Sequence, residues 1–247
     1  MIINPNLNAT FGKVSDTYDK TRPSYPPSFV LDAIETAKMT NQSSILEIGC
    51  GNGIATRQFA PHCKKLTAID RSSELIEVAR KNTEKFQNVE LHVTSFENYN
   101  TTEKFDIIIC ATAWHWLDEK TKYQKVHSLL NENGFLILLC NQPWQESPEL
   151  KKIKNLLVKH CPDYLPDFGL KSIAEIKNTP YFSLILEKET ILKQKLATED
   201  YVKLISTYSY VSILPEDKQN ALFSEIKKLG LTLPAEFKSK LIICKKH

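Results

Sequence analysis

Three of the seven glycines in this 247-residue chain fall within five residues, at Gly49, Gly51 and Gly53. They lie in Ile45-Leu46-Glu47-Ile48-Gly49-Cys50-Gly51-Asn52-Gly53-Ile54, a β-prone run that breaks into a turn and then a helical pattern. Glycine permits unusual backbone angles there, and its missing side chain lets a ligand touch the main chain. A dinucleotide-binding turn reads Gly-x-Gly-x-x-Gly/Ala, and its sixth position is here Ile54. Glu47, two residues before the first glycine, opposes a pyrophosphate and suits an ammonium group. Asp70 closes the run Leu66–Asp70, 17 residues after Gly53, near the roughly 20 expected of an acid that holds a ribose diol. Its competing role is to cap the next helix, which Ser72 or Ser73 can do instead. The implied ligand carries an ammonium and a diol and no phosphate.

A second cluster is Trp114-His115-Trp116. Two tryptophans beside a histidine could wall an acceptor site or attract a cation to their ring faces. His115 could serve as a general base toward an O–H or N–H group. The alternative is a packed aromatic anchor for the following helix. No histidine or cysteine spacing suggests a metal, so none is expected.

These residues need a scaffold, and the pattern supplies one. Short β-rich runs, Ser44–Ile48, Lys65–Asp70, Val89–Val93, Phe105–Ala111 and Phe135–Cys140, alternate with helical segments near 54–60, 73–85 and 118–131. A helix is also expected from Pro27 or Ser28 to Met39. Asn133-Gly134 is read as the stop of the third of those segments. Such alternation implies a parallel sheet with helices on both faces, and ligands bind at the carboxyl ends of its strands. Beyond Asn141 helices are expected near 148–159, 198–206 and 215–229, with Ser147 as N-cap and Pro148 at the first helical position. Strands are expected at Leu184–Leu196 and Phe237–Cys244. The whole chain, 1–247, reads as one domain: an arm and helix over 1–40, a ligand-binding core over 41–143, and cap helices with the final strands over 144–247.

Composition is that of a globular protein, 42% hydrophobic and 25% charged. Net charge is +3, with the excess of lysine spread along amphipathic segments beyond residue 150. That is a solvated helix surface rather than a clustered nucleic-acid face, so no nucleic-acid partner is expected. Six cysteines without a Cys-x-x-Cys pair suggest buried thiols in a cytoplasmic protein. No signal peptide or membrane-length apolar stretch is read, so no membrane partner is expected.

At this point the motifs resemble a known family. Leu46–Gly53 and Ala68-Ile69-Asp70-Arg71-Ser72 are similar to motifs I and II of the class I S-adenosylmethionine (SAM)-dependent methyltransferases. Further matches are Phe11 with Tyr18-Asp19-Lys20-Thr21-Arg22-Pro23-Ser24-Tyr25-Pro26, Thr94-Ser95-Phe96-Glu97, Phe105-Asp106-Ile107, Ala113–Trp116 and Leu130–Gly134. They narrow the resemblance to the small-molecule group, type 11, that includes trans-aconitate-type enzymes. It covers most of 11–143 and continues loosely through Tyr201 and Ser206–Ser209.

The resemblance implies an α/β, Rossmann-like, doubly wound seven-stranded sheet whose last strand is antiparallel, with helical additions forming a cap. It implies SAM as cofactor, S-adenosylhomocysteine as product, and a small-molecule methyl acceptor offering a carboxylate or hydroxyl. Gly49, Gly51 and Gly53 would cradle the methionine part, with Glu47 ordering that end. Asp70 would take the ribose hydroxyls and Arg71 would flank the adenine. Ser95 and Phe96 would lie at the adenine edge, with Ser95 standing where many relatives carry Asp. Ala111 and Thr112, after the fourth strand, would lie near the methionyl group. Tyr18 and Arg22 would fold over the cofactor, Arg22 either pairing with the methionyl carboxylate or lying on the surface. Tyr25, Trp114, His115 and Trp116 would meet the acceptor, with His115 as the candidate base. An RNA or protein methyltransferase, or a non-catalytic SAM-binding protein, are the alternatives. The assembly expected is a monomer or homodimer.

Overall fold

The computed structural model describes residues 22–144, 146–164 and 168–247. Its elements are α1 (Pro27–Thr36), β1 (Ser44–Ile48), α2 (Ile54–Phe59), β2 (Lys65–Asp70), α3 (Ser73–Thr83), β3 (Val89–Val93), β4 (Phe105–Ala111), α4 (Lys122–Leu129) and β5 (Leu130–Pro143). There follow α5 (Pro148–His160), α6 (Phe168–Ala174), β6 (Phe182–Ala197), α7 (Thr198–Ser206), α8 (Ser209–Ser212), α9 (Glu216–Lys227) and β7 (Thr232–Lys246).

The strands form one seven-stranded sheet in the order β3-β2-β1-β4-β5-β7-β6. β1 pairs in parallel with β2 and β4, β2 with β3, and β4 with β5, whereas β7 runs antiparallel to both β5 and β6. This is a doubly wound sheet with a reversed last strand. The chain order turns back between β1 and β4, which opens a crevice at their carboxyl ends.

Central strands are largely apolar because both faces are covered. One core layer joins α1 and α2 to Ile45, Leu66, Ile107 and Ile243; the other joins α4 and α6 to Leu46, Ile108, Leu138 and Trp114. A third cluster binds α5, α7 and α9 to Leu233 and Phe237 of β7. Ser147 caps α5 by accepting from Leu150 N at 3.3 Å, and Pro148 follows at the first helical position. All six cysteines are buried free thiols. No helix among the described residues is long and apolar enough to cross a membrane.

The junction between α4 and β5 differs most tellingly from expectation. α4 ends at Leu129, and Leu130 already pairs with Phe105. Asn133 does adopt φ 65°, but within the entry to β5. Gly134 is required for space, since a Cβ there would lie 2.9 Å from the Asn131 carbonyl oxygen. A helix stop and a strand kink use the same residues.

Candidate active site

An open cavity of about 940 Å³ lies at the carboxyl ends of β1, β2 and β4. Its walls include Glu47, Gly49, Cys50, Gly51 and Asn52 from the first turn, Asp70 and Arg71 after β2, and Ser95, Phe96 and Glu97 after β3. Ala111, Thr112, Ala113 and Trp116 after β4, with Tyr25 from the arm, complete the opposite side.

β1 carries Glu47 into the interior, where 1% of its surface is exposed. Its Oε2 accepts from Thr56 Oγ1 at 2.7 Å, while Oε1 is buried with no hydrogen-bond partner among the described residues. Burial pushes the carboxyl up to about 8, the Thr56 bond opposes this, and the neighbouring Asp70 adds to it. An unsatisfied carboxylate oxygen at a cavity wall calls for a donor or cation from the ligand.

Asp70 is half-buried at the end of β2. Its Oδ2 accepts from Gly51 N and its Oδ1 from Ser72 N, both at 2.9 Å. Burial raises its pKa, and these two N–H groups hold the rise back. Ser72 is the cap of α3, accepting from Leu75 N at 3.2 Å. Asp70 is thus free of the capping role, and each oxygen retains lone-pair capacity toward the cavity.

The glycines differ in what they do. Gly49 has φ 69°, and a Cβ there would stand 2.5 Å from the Ala113 Cβ, so two strand-end loops touch because one lacks a side chain. At Gly51 (φ 56°) no atom of the described residues lies within 4 Å of that position, which leaves space for a ligand against the main chain. Gly53 is not in the wall. It starts α2 at φ 83°, facing Thr83 and Ala79 of α3, so its role is helix packing.

On the other side, Tyr25 Oη and Thr112 Oγ1 lie 2.7 Å apart. Thr112 has φ 55°, a strained angle for a β-branched residue, and strain of this kind concentrates at ligand sites. Asn141 of β5 bonds the arm to the sheet. Its Nδ2 donates to Pro23 O at 3.1 Å, and its Oδ1 accepts from Ser239 Oγ at 2.6 Å.

Ten sequence-predicted residues therefore meet around one cavity: Glu47, Gly49, Gly51, Asp70, Arg71, Ser95, Phe96, Ala111, Tyr25 and Trp116. Four others lie elsewhere. Arg22 donates from Nε to Thr207 Oγ1 at 3.0 Å and stacks 4.5 Å above the Tyr208 ring, so its guanidinium is engaged by the cap rather than lining the cavity. Trp114 is fully buried core, edge-on to Tyr123 at 5.5 Å, because the 3-10 turn Trp114–Trp116 points it under the sheet. His115 lies outside the wall, beside Trp116 at 4.7 Å and within reach of Gly169 on α6. Burial, with the Lys122 charge, pulls its pKa down to about 4, so it is a neutral and weak base. Gly53 is the fourth. Tyr18 lies outside the described residues.

Sequence reasoning gave no role to Asn52, Glu97 or Asn141, while Thr112, expected beside Ala111, does line the cavity. Asn52 is buried in the cavity wall and its carbonyl accepts from Asn82 Nδ2 at 2.9 Å. Its place between two of the glycines was a usable signal. Nothing in the sequence marks Asn141, whose role arises from contacts across strands.

The residues present fit a ligand with an ammonium at Glu47, a diol at Asp70 and a close main-chain approach at Gly51. Among the described residues no cluster of three or more potential metal ligands occurs. Comparison with known proteins adds to this. A methyltransferase-domain family matches residues 45–134. An uncharacterized methyltransferase-like protein of Schizosaccharomyces pombe is 28% identical over 220 residues, 88% of this chain and 84% of that protein. A malonyl-[acyl-carrier protein] O-methyltransferase of Ilyobacter polytropus is 23% identical over 96% of this chain and 89% of its own length. Among solved structures, N-methyltransferase NodS of Bradyrhizobium japonicum with S-adenosylhomocysteine is similar in fold, with TM-score 0.56, 15% identity and 98% of each chain covered.

Proposed function

From the premise that this chain is a class I SAM-dependent methyltransferase, we propose that it methylates an oxygen, carboxylate or hydroxyl, of a small-molecule acceptor. The observation carrying this reading is the Tyr25–Thr112 hydroxyl pair, 2.7 Å apart in the cavity wall beside Ala113 and Trp116. All four side chains are uncharged. A hydroxyl pair can donate one hydrogen bond to an acceptor oxygen and so orient its other lone pair.

SAM supplies a methyl group already activated by its sulfonium. Glu47 and Gly51 would hold the amino-acid end, Asp70 the ribose hydroxyls, and Arg71, Ser95 and Phe96 the adenine side. Trp116 and Leu117 exclude water from the opposite wall, and alignment with desolvation is the main catalytic contribution of these residues. A carboxylate acceptor requires no base, which agrees with His115 standing outside the wall as a neutral ring. The O-methyltransferase relative modifies a malonyl group by its name, and this supports an oxygen acceptor here.

The test is transfer of label from methyl-tritiated SAM to a panel of small carboxylic acids, alcohols, amines, RNA and protein. Label released as volatile methanol by mild alkali identifies a methyl ester, and stable label in an alcohol identifies an ether. Label only in amines, RNA or protein refutes an oxygen acceptor of low molecular weight. SAM binding with no transfer to any class supports the non-catalytic alternative.

A further inference from the structure

The far edge of the sheet carries a separate signal. β6 is the terminal strand, and among the described residues it pairs with β7 alone. Residues 188–191 and 193–195 are exposed, Ile191 by 41%. A long open edge is a template for another strand unless the sequence blocks it.

We propose that β6 is a homodimer interface, in which two copies pair antiparallel about a two-fold axis at Ile191. The charge order along the strand is self-complementary. Glu187 and Glu189 precede Ile191, and Lys193 and Lys195 follow it at the mirrored spacings. Pairing about that axis sets Glu187 opposite Lys195 of the second copy and Glu189 opposite Lys193 of the second copy, each twice by symmetry. Ile191 meets its own symmetry mate. Successive odd residues share a face, so both Glu–Lys pairs and the isoleucines lie on one side. A half-residue shift of the axis sets Lys188 against Lys193 or Lys195. A full-residue shift leaves one kind of Glu–Lys pair in place of two. The complementarity therefore selects one register.

Within the chain the same row already alternates in charge. Glu187 bonds Lys240 at 2.7 Å, Glu189 bonds Lys238 at 2.9 Å, and Lys193 approaches Glu236 at 3.7 Å. The second copy continues this ladder outward. Edge lysines repel an arbitrary strand, but an inverted β6 meets them with carboxylates. Such an isologous contact closes on itself, giving a dimer and no fibre.

Sedimentation equilibrium at micromolar to sub-millimolar chain concentration tests the proposal. Wild type should have the mass of two chains, with dissociation promoted by salt. Ile191→Lys and Ile191→Glu each place like charges on the axis and should give single chains, while an equimolar mixture should recover the dimer. Ile191 is exposed and β6 lies three strands from β4, so S-adenosylhomocysteine binding should stay unchanged in both and report intact folding. Lys195→Glu, which sets two carboxylates opposite each other, should raise the dissociation constant. A wild type that stays monomeric overturns the proposal, as does a dimer that tolerates both Ile191 variants or a mixture that remains monomeric.

Discussion

Replacing Glu47 by Gln tests the electrostatics of the site apart from catalysis. The carboxyl titrates near 4.5 in the unfolded chain and near 8 in the folded one, chiefly through burial. Its folded pKa is raised, so its contribution to stability is complete below 4.5 and is lost as pH rises through 8. Integrating the linkage relation between about pH 6 and about pH 9 gives a loss on the order of 2–3 kcal/mol from this group alone. The amide of the Glu47→Gln variant never ionises, yet its carbonyl can still accept from Thr56 Oγ1. Other groups titrate alike in both proteins and cancel in the difference. At about 2–4 °C per kcal/mol for a chain of this size, the melting-temperature gap between Glu47→Gln and wild type should widen by roughly 5–10 °C over that range. The assay is a thermal melt without ligand at several pH values. Adding S-adenosylhomocysteine narrows the gap, because loss of a charged partner for the ammonium costs about 1.5–3 kcal/mol of binding. Parallel melting curves for the two proteins across pH would refute a buried, titrating Glu47.

Three other expectations follow from contacts already described. Gly49→Ala forces a Cβ to 2.5 Å from Ala113 Cβ at φ 69° and should cost about 2–5 kcal/mol in a melt; adding Ala113→Gly should recover only the steric part, and full recovery would deny the strain at φ. Lys122 is buried with its ammonium unpartnered, 5.1 Å above the Trp114 ring. Lys122→Met should therefore leave the melting temperature equal or higher, by up to about 3 kcal/mol of stability, and a clear drop would mean that the ammonium matters more than its stem. His115 has a lowered pKa, so its neutral ring is stable above 6.5 and costs stability as pH falls toward about 4. His115→Asn should flatten that acid limb and leave the turnover profile around neutrality unchanged in shape, whereas a lost inflection there would restore the general-base role.

Strand positions were legible because β1 to β4 are short apolar runs bounded by turn residues, and the sheet order followed from their alternation with helices. The Glu47, Gly49–Gly51 and Asp70 side of the cavity was legible for a related reason: those residues are close in sequence and at strand ends, so local spacing reports their meeting. Trp114 and His115 were misplaced because a 3-10 turn rotates alternate aromatic rings into and out of the wall, and no periodicity of 2 or 3.6 describes that turn. Arg22 was misassigned because its partner, Thr207, is 185 residues away in the cap. The Tyr25–Thr112 pair has the same origin, a contact across 87 residues that leaves no trace in either segment.

Asn141 has a consequence for the order in which the molecule assembles. Its amide clamps Pro23, 118 residues earlier, while its carbonyl is held by Ser239, 98 residues later. Contacts of such sequence separation carry the largest loop-closure cost and form late in folding. The two-sided clamp at Asn141 is thus complete only once β7 has paired with β5. Retention of S-adenosylhomocysteine should accordingly arise in the slowest refolding phase, together with hydrogen-exchange protection of β5 and β7, and retention preceding that protection would contradict this order. The far end of the chain acts as the latch for its beginning.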